Sequence, residues 1–372
     1  MRNEFDESSR KEVPNAHLAQ LAKYIVRLFP SEVEEEWFVP FSKEGKIKKR
    51  ASGRLLDLRD NIRKNLIKAG TAISKRPSRQ KAKSAAPEAP QLPEELKNKI
   101  TFIKKAKKIS PTVLAYWKET VVERLDDIRK KDLKIHEIFE LYPVLGLNEG
   151  WQLVNIDYEV RFPKHVHSLE VNWGDFEENL FGFMKLKCET DKHTQELISK
   201  ANISLTELDE EKSTIHAARL LALLLNRAST VVGASGSMKL NKDDVMDGFM
   251  CLTNNVADTL EKKKTKFAAI GLSMQIFPII EFNKDQNKLK SRVFVNNVLY
   301  PAESPLNALD LAFKMFQVMD AEYPKESKVS WVYLQKNLYN LKTANDPSFA
   351  DERKLLRDLL DFKLKKQSMS TS

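Results

Sequence analysis

The stretch Ser304–Met319, SPLNALDLAFKMFQVM, constrains the rest of the chain more than any other. Ser304 occupies an N-cap position and Pro305 the first helical position, so a hydroxyl meets free backbone N–H groups and the next residue has none to lose. Its polar residues fall at Asn307, Asp310, Lys314 and Gln317, spacings that draw one narrow stripe on a 3.6-residue screw. Leu306, Leu309, Ala312, Phe313, Phe316 and Met319 form an apolar face, and Ala308, Leu311, Met315 and Val318 form the flank beside it. A helix that must be covered on most of its circumference needs a shell of other elements around it, so the pattern predicts a core built on buried helices.

The chain can supply that shell: 372 residues, 42% hydrophobic, with five Trp and nineteen Phe, suffice for one large domain or two. The N-terminal MRNEFDESSRKEV lacks the apolar run of a signal peptide, and LLALLL at 220–225 is too short to span a bilayer, so no membrane association is expected. Cys188 and Cys251 are the only cysteines, which points to a reducing compartment rather than a disulfide-stapled secreted domain.

The formal charge is +10, and its distribution is uneven. Between Lys43 and Lys108 stand 21 Lys and Arg against 6 Asp and Glu, an excess of 15 that leaves the remainder of the chain net acidic. A concentration of this kind points to an anionic partner or an import signal, because charge needed only for solubility would not be local.

Amphipathic periodicity predicts helices over 16–29, ended by Pro30, and over about 54–69, ended by Gly70; together they make a small basic helical module over 1–72. Residues 73–98 read as a Pro- and Lys-rich disordered linker, with Pro77, Pro87, Pro90 and Pro93 and nothing to bury. The remaining 99–372 read as one mainly helical domain. Its predicted elements include a helix of about five turns from Ser110 to the RKKD break at 129–132, and a short one ending before Pro143. WQLVNIDYEVRFP fits a strand or a helical face, with the helix preferred. A leucine-filled helix follows over 213–231, then a loop at GASGS and a helix from Asn241 bearing Val245, Phe249, Leu252, Val256 and Leu260. A β-hairpin near 272–300 pairs SMQIFPIIEF with SRVFVNNVLY, and Pro278 argues for an edge strand or a bulge. A helix carrying Trp331, Leu334, Leu338 and Leu341 and a charged tail helix close the chain. The expected fold class is therefore mainly α, in the α+β sense: buried helices around a C-terminal β-hairpin, plus the basic N-terminal module.

From about Lys266 to Thr343, the succession of hairpin, VNNVLY, SPLNALDLAFKMFQVMDAEYP and SWVYLQKNLYNLKT resembles the C-terminal, non-SAM region of proteins labelled sterile alpha motif domain-containing protein three-like. YIVRLFP, GRLLDLRDNI and the placement of 151–163 extend the likeness toward the N-terminus. The sequence has no recognisable SAM domain. What the resemblance implies is an organisation; it transfers no functional residue.

Four patterns could carry chemistry. GASGSMK at 233–239 is glycine-rich but lacks G-x-x-x-x-G-K-[ST] and a preceding strand, so a helix–helix connection is expected. His165 and His167 would share one side of a strand with Cys188 and His193 nearby, yet paired zinc ligands are missing, and no metal or other cofactor is expected. Asp243, Asp244 and Asp247 fit a helix's first turn by dipole alone. The basic tract has more content. Arg54, Arg59, Arg63, Lys64 and Lys68 could meet phosphates from the 54–69 helix. Lys46, Lys48, Lys49 and Arg50, then Lys75 and Arg76, then Lys104, Lys105, Lys107 and Lys108 are import-signal-like. The resulting expectation is a non-enzymatic nuclear regulatory or adaptor protein. Its basic part would contact DNA, RNA or another acidic partner, while its larger domain would bind an unidentified protein. The alternative is a cytoplasmic scaffold or self-associating homo-oligomer that binds no nucleic acid.

Overall fold

The computed structural model describes residues 14–29, 32–44, 47–49, 51–59, 62, 93–205, 209–225, 230–283, 288–343 and 346–370. The chain divides into two units, Met1–Gln91 and Leu92–Ser372. Together they give a mainly helical, α-plus-β protein. Most of the expected linker lies outside the described residues, and its final residues, from 94 to 98, are already helical.

In the first unit, α1 (Asn15–Leu28) is followed by the single turn α2 (Glu34–Trp37), the strand pair β1 (Ser42–Glu44) and β2 (Ile47–Lys49), and α3 (54–59). Its buried core is small: Leu18 and Ala22 of α1 with Phe38, backed by Ala19, Trp37, Ala51, Leu55 and Leu56. Val39 bridges Ser52, which ties α2 to the start of α3.

The second unit opens with α4 (Glu94–Lys105), α5 (Pro111–Glu119) and α6 (Val121–Lys131). The single five-turn helix expected here is broken at Thr120, which has φ −108° and ψ 12°. Tertiary structure overrides the periodicity: the Arg124 guanidinium takes the Trp117 carbonyl oxygen at 2.7 Å, the acceptor that an unbroken helix would offer to the amide of Val121. Next come α7 (Ile135–Leu141), α8 (Trp151–Arg161), α9 (Ser168–Thr190), α10 (Lys192–Lys200) and α11 (Glu210–Leu225). The ambiguous 151–163 stretch is thus helical through Arg161, and a 3-10 turn then covers His165, so the histidines do not lie on a strand.

Where a helix–helix loop was expected, β3 (Thr230–Val232) and β4 (Ser237–Lys239) form an antiparallel hairpin around the glycines. The expected helix from Asn241 also divides, into α12 (Lys242–Asp247), β5 (Cys251–Thr253) and α13 (Val256–Ala268). Gly248 ends α12, and a Cβ there would lie 2.3 Å from Cγ of Glu326. Glycine therefore lets a distant carboxylate side chain close over the helix end.

The hairpin region is larger than expected. β6 (Phe277–Asn283), β7 (Lys288–Val295) and β8 (Val298–Ala302) form an antiparallel meander, and β5 adds to β6 in parallel, giving the order β5-β6-β7-β8. SRVFVNNVLY is therefore two strands. Asn296 and Asn297, with φ of 44° and 63°, form the two-residue turn between them, the left-handed conformation that asparagine tolerates and tight hairpins need. Pro278 lies on a central strand, contrary to the edge expectation. Pairing with β5 starts only at Ile279, so no ladder amide from residue 278 is required on that side.

The pleat gives this sheet two dry faces. Ile280, Val293, Val295 and Tyr300 join the main core beneath α14 (Pro305–Val318), while Cys251, Phe277, Ile279 and Phe294 pack with Val256 and Leu260 of α13. α14 starts as expected, with Ser304 Oγ accepting from the Asn307 amide at 3.1 Å. It lies against α8 and α11 as well as the sheet. α15 (Lys328–Tyr333) runs into a π turn at Leu334–Leu338, and α16 (Ala350–Ser370) is the last element.

Candidate functional site

The basic residues singled out in the sequence, where they are described, divide between engaged and exposed positions. Arg54 is exposed, its guanidinium 5.3 Å from the centre of the Trp37 ring. Arg59 donates to Asn15 Oδ1 at 2.9 Å and thereby ties α3 to the start of α1. Lys48 and Lys49 lie on β2, opposite Lys43 and Ser42. Lys46, Arg50, Arg63, Lys64, Lys68, Lys75 and Arg76 lie outside the described residues. In the second unit, Lys99 bonds Glu95 and Glu119, and these contacts raise its pKa well above the usual lysine value. Lys104 is half-buried, with its ammonium 5.8 Å from the Tyr142 ring. By contrast Lys105, Lys107 and Lys108 project from the end of α4 into solvent and make no ion pair among the described residues.

The other sequence candidates are accounted for by structure. Gly233 donates to the Gly236 carbonyl and Ser235 to the Ile270 carbonyl, so two amides that a phosphate would need are used within the hairpin and its neighbour. A Cβ on Gly233 would strike the Ile270 oxygen, which explains that glycine by close backbone approach. Asp244 closes a capping box with Asn241 and bonds Lys266; Asp247 pairs with Arg219 at 2.6 Å. His167 is exposed beside Glu170, and among the described residues no three His, Cys, Asp or Glu come together in a way that could hold a metal.

What the sequence reading missed is the fate of α14's polar stripe. Beyond the exposed Asn307 it turns into the protein. Lys314 is 7% exposed and pairs with Asp310 at 2.6 Å, and Asp310 also accepts the hydroxyl hydrogen of Tyr339. Burial raises the pKa of Asp310, against the opposing pull of Lys314. Further along the stripe, Gln317 donates to the Tyr323 hydroxyl at 2.7 Å, and that hydroxyl donates to Gln335 Oε1 at 2.8 Å. Gln335 sits in the π turn and reaches on to Asp346 at 3.0 Å. The turn thus carries Gln335 and presents Tyr339, so it sets both ends of the network. Tyr158 lies beside it, its ring 5.5 Å from the Lys314 ammonium, and its buried hydroxyl has no hydrogen-bond partner among the described residues.

A second buried ion pair follows the same logic. Arg124 grips Asp157 with two N–H groups, at 2.6 and 3.1 Å, and stacks 3.6 Å from the Trp117 ring centre. Glu326, 8% exposed, rests over Gly248 with its pKa raised by burial and pulled back by Lys263 and Lys266. In both networks acid and base are matched inside the protein rather than presented in a cleft.

An open depression of about 590 Å³ lies among α9, α10 and α11, lined by Cys188, Gln195, Asn202, Ser204 and His216. His216 Nδ1 accepts the Ser204 amide, which leaves the ring proton on Nε2, and burial lowers its pKa. Burial also raises the Cys188 thiol. An activated nucleophile pair needs a thiol pushed down, so the shift at Cys188 runs the opposite way. No helix among the described residues is long and apolar enough to cross a membrane. No protein-family model, curated protein or solved structure matches the chain.

Proposed function

We propose that this is a non-enzymatic nuclear regulatory or adaptor protein whose basic tract contacts nucleic acid through phosphates while the larger unit serves as a protein-binding domain. The observation that carries the reading is the excess of 15 positive charges between Lys43 and Lys108. Among the described residues, Lys105, Lys107 and Lys108 are an exposed cluster within that tract. No base-reading motif accompanies the charge, so contact with the backbone is favoured over readout of sequence. The large unit supports a binding role because its buried ionisable groups neutralise one another: Lys314 with Asp310, Arg124 with Asp157, Lys336 with Glu352. The likeness to the uncharacterised non-SAM region belongs to the same reading and adds an organisation to it.

Fluorescence anisotropy of the full chain on labelled duplex DNA and on RNA, over a salt series, tests the proposal. Affinity should fall steeply with salt and vary little with sequence. Changing Lys105, Lys107 and Lys108 together to Gln should lower the slope of log affinity against log salt by up to about 0.9 per lost phosphate contact on duplex DNA. Binding and slope that do not respond to the triple change remove this cluster from the contact surface. No binding of the wild type at low salt refutes the nucleic-acid role and leaves the cytoplasmic scaffold reading in its place.

A further inference from the structure

Three buried acids of the large unit each hold a cation: Asp157 pairs with Arg124, Asp310 with Lys314 and Glu352 with Lys336. Glu326 is comparably buried, yet it makes no ion pair among the described residues. It stands in the turn at 325–327, immediately before α15. Each residue of that turn reaches a different place. Lys325 Nζ donates to the Val232 carbonyl of β3 at 2.7 Å, and Ser327 Oγ donates to the Gly248 carbonyl, also at 2.7 Å. Between them Glu326 lays its methylenes over Gly248 itself. The turn therefore clamps the end of α12, three residues before β5 begins.

The charged groups around Glu326 are engaged elsewhere. On α13, Lys266 bonds Asp244, and Lys263 donates to the Asp247 carbonyl at 3.1 Å. On α12, Asp244 adds a like charge, while the Asp247 carboxylate turns to Arg219 of α11 at 2.6 Å. Lys328, on α15, is exposed. A carboxylate kept dry without a cation of its own is favoured neutral, so burial raises the Glu326 pKa against the pull of the two α13 lysines.

We propose that Glu326 is a proton-operated latch: protonated, it stays folded over Gly248 and the turn holds the end of α12; ionised, it leaves for water and the turn lets go. Linkage sets the direction. The closed turn binds this proton more tightly than the open one, so closure gains stability as pH falls through the folded pKa, and gains no more below the ordinary glutamate value. Between those two values the ratio of open to closed rises tenfold for each pH unit, and above them it is constant. Exposed paired carboxylates such as Glu196, whose pKa is lowered by Lys200, act in the opposite sense. A local readout is therefore needed.

Amide hydrogen exchange of the full chain, followed by mass spectrometry from about pH 5 to about pH 8, tests the latch against Glu326→Gln, which keeps the shape and cannot ionise. The quantity read is the ratio of wild-type to variant exchange at each pH, in which the intrinsic pH dependence of exchange cancels. In peptides spanning 320–330 and 242–253 the ratio should climb by up to tenfold per pH unit and then level off. In peptides of α8 it should not vary with pH. Gly248→Ala is an independent variant, because its Cβ takes the place of the Glu326 side chain. That chain should exchange faster than wild type in both peptides at about pH 5, and the difference should shrink as pH rises. A ratio to Glu326→Gln that is flat with pH overturns the latch. So does a change shared equally by α8, which reports unfolding of the whole unit, and so does a Gly248→Ala chain as protected as wild type at the acid end.

Discussion

Tyr158 and Tyr339 lie with ring centres 6.4 Å apart in the same core, and their hydroxyls have opposite energetic standing. Tyr339 serves a buried carboxylate; Tyr158 has a hydroxyl that is buried and unpartnered. Tyr339→Phe should therefore cost about 1–3 kcal/mol, because it strips a hydrogen bond from Asp310, whereas Tyr158→Phe should be neutral or stabilising. Urea melts of the two variants give the comparison directly, and equal losses would place the Tyr158 hydroxyl in a bond of its own. The polar residues of this cluster on α14 were all visible in the sequence as a stripe. Their partners were not, because periodicity describes the element that carries a residue and is silent about a tyrosine 29 positions further on.

At the scale of the element, α14 was legible because three local signals agree: the Ser304 cap, Pro305, and apolar residues on nearly every side. Phe313 and Phe316 are 0% and 2% exposed, the first stacked on Tyr339 and the second edge-on to Trp331. Each change to Ala should cost about 3–5 kcal/mol in denaturant melts. A loss below ~1 kcal/mol would show that the surrounding helices close the gap. Three other elements were misread for one physical reason. The break between α5 and α6, the division of α12 from β5 and α13, and the turn at Asn296–Asn297 are each set by contacts or dihedral preferences that do not alter apolar spacing. Arg124 reaches a carbonyl within α5, Glu326 rests on Gly248, and two asparagines accept positive φ. The π turn was not read either, because Trp331, Leu334 and Leu338 keep ordinary helical spacings of three and four across it.

For the molecule as a whole, charge and proline content led to a small basic part, a linker over 73–98 and a larger helical part, and the described chain divides into two units at Gln91 and Leu92. The two cysteines, singled out in the sequence for what they say about compartment and, for Cys188, as a candidate metal ligand, gain a further use from where the fold puts them. Cys251 lies on β5, a three-residue edge strand held by parallel pairing to β6, with its side chain fully buried and its thiol pushed up to about 12. Cys188 is half-buried beside the open depression. An aromatic disulfide reagent should modify Cys188 promptly and Cys251 only as fast as β5 leaves the sheet. The second rate should climb in urea below the main unfolding transition, and equal rates for both thiols would show that β5 is open in the native state. Protected by a strand of three residues, Cys251 makes the molecule its own clock for the loosening of that sheet edge.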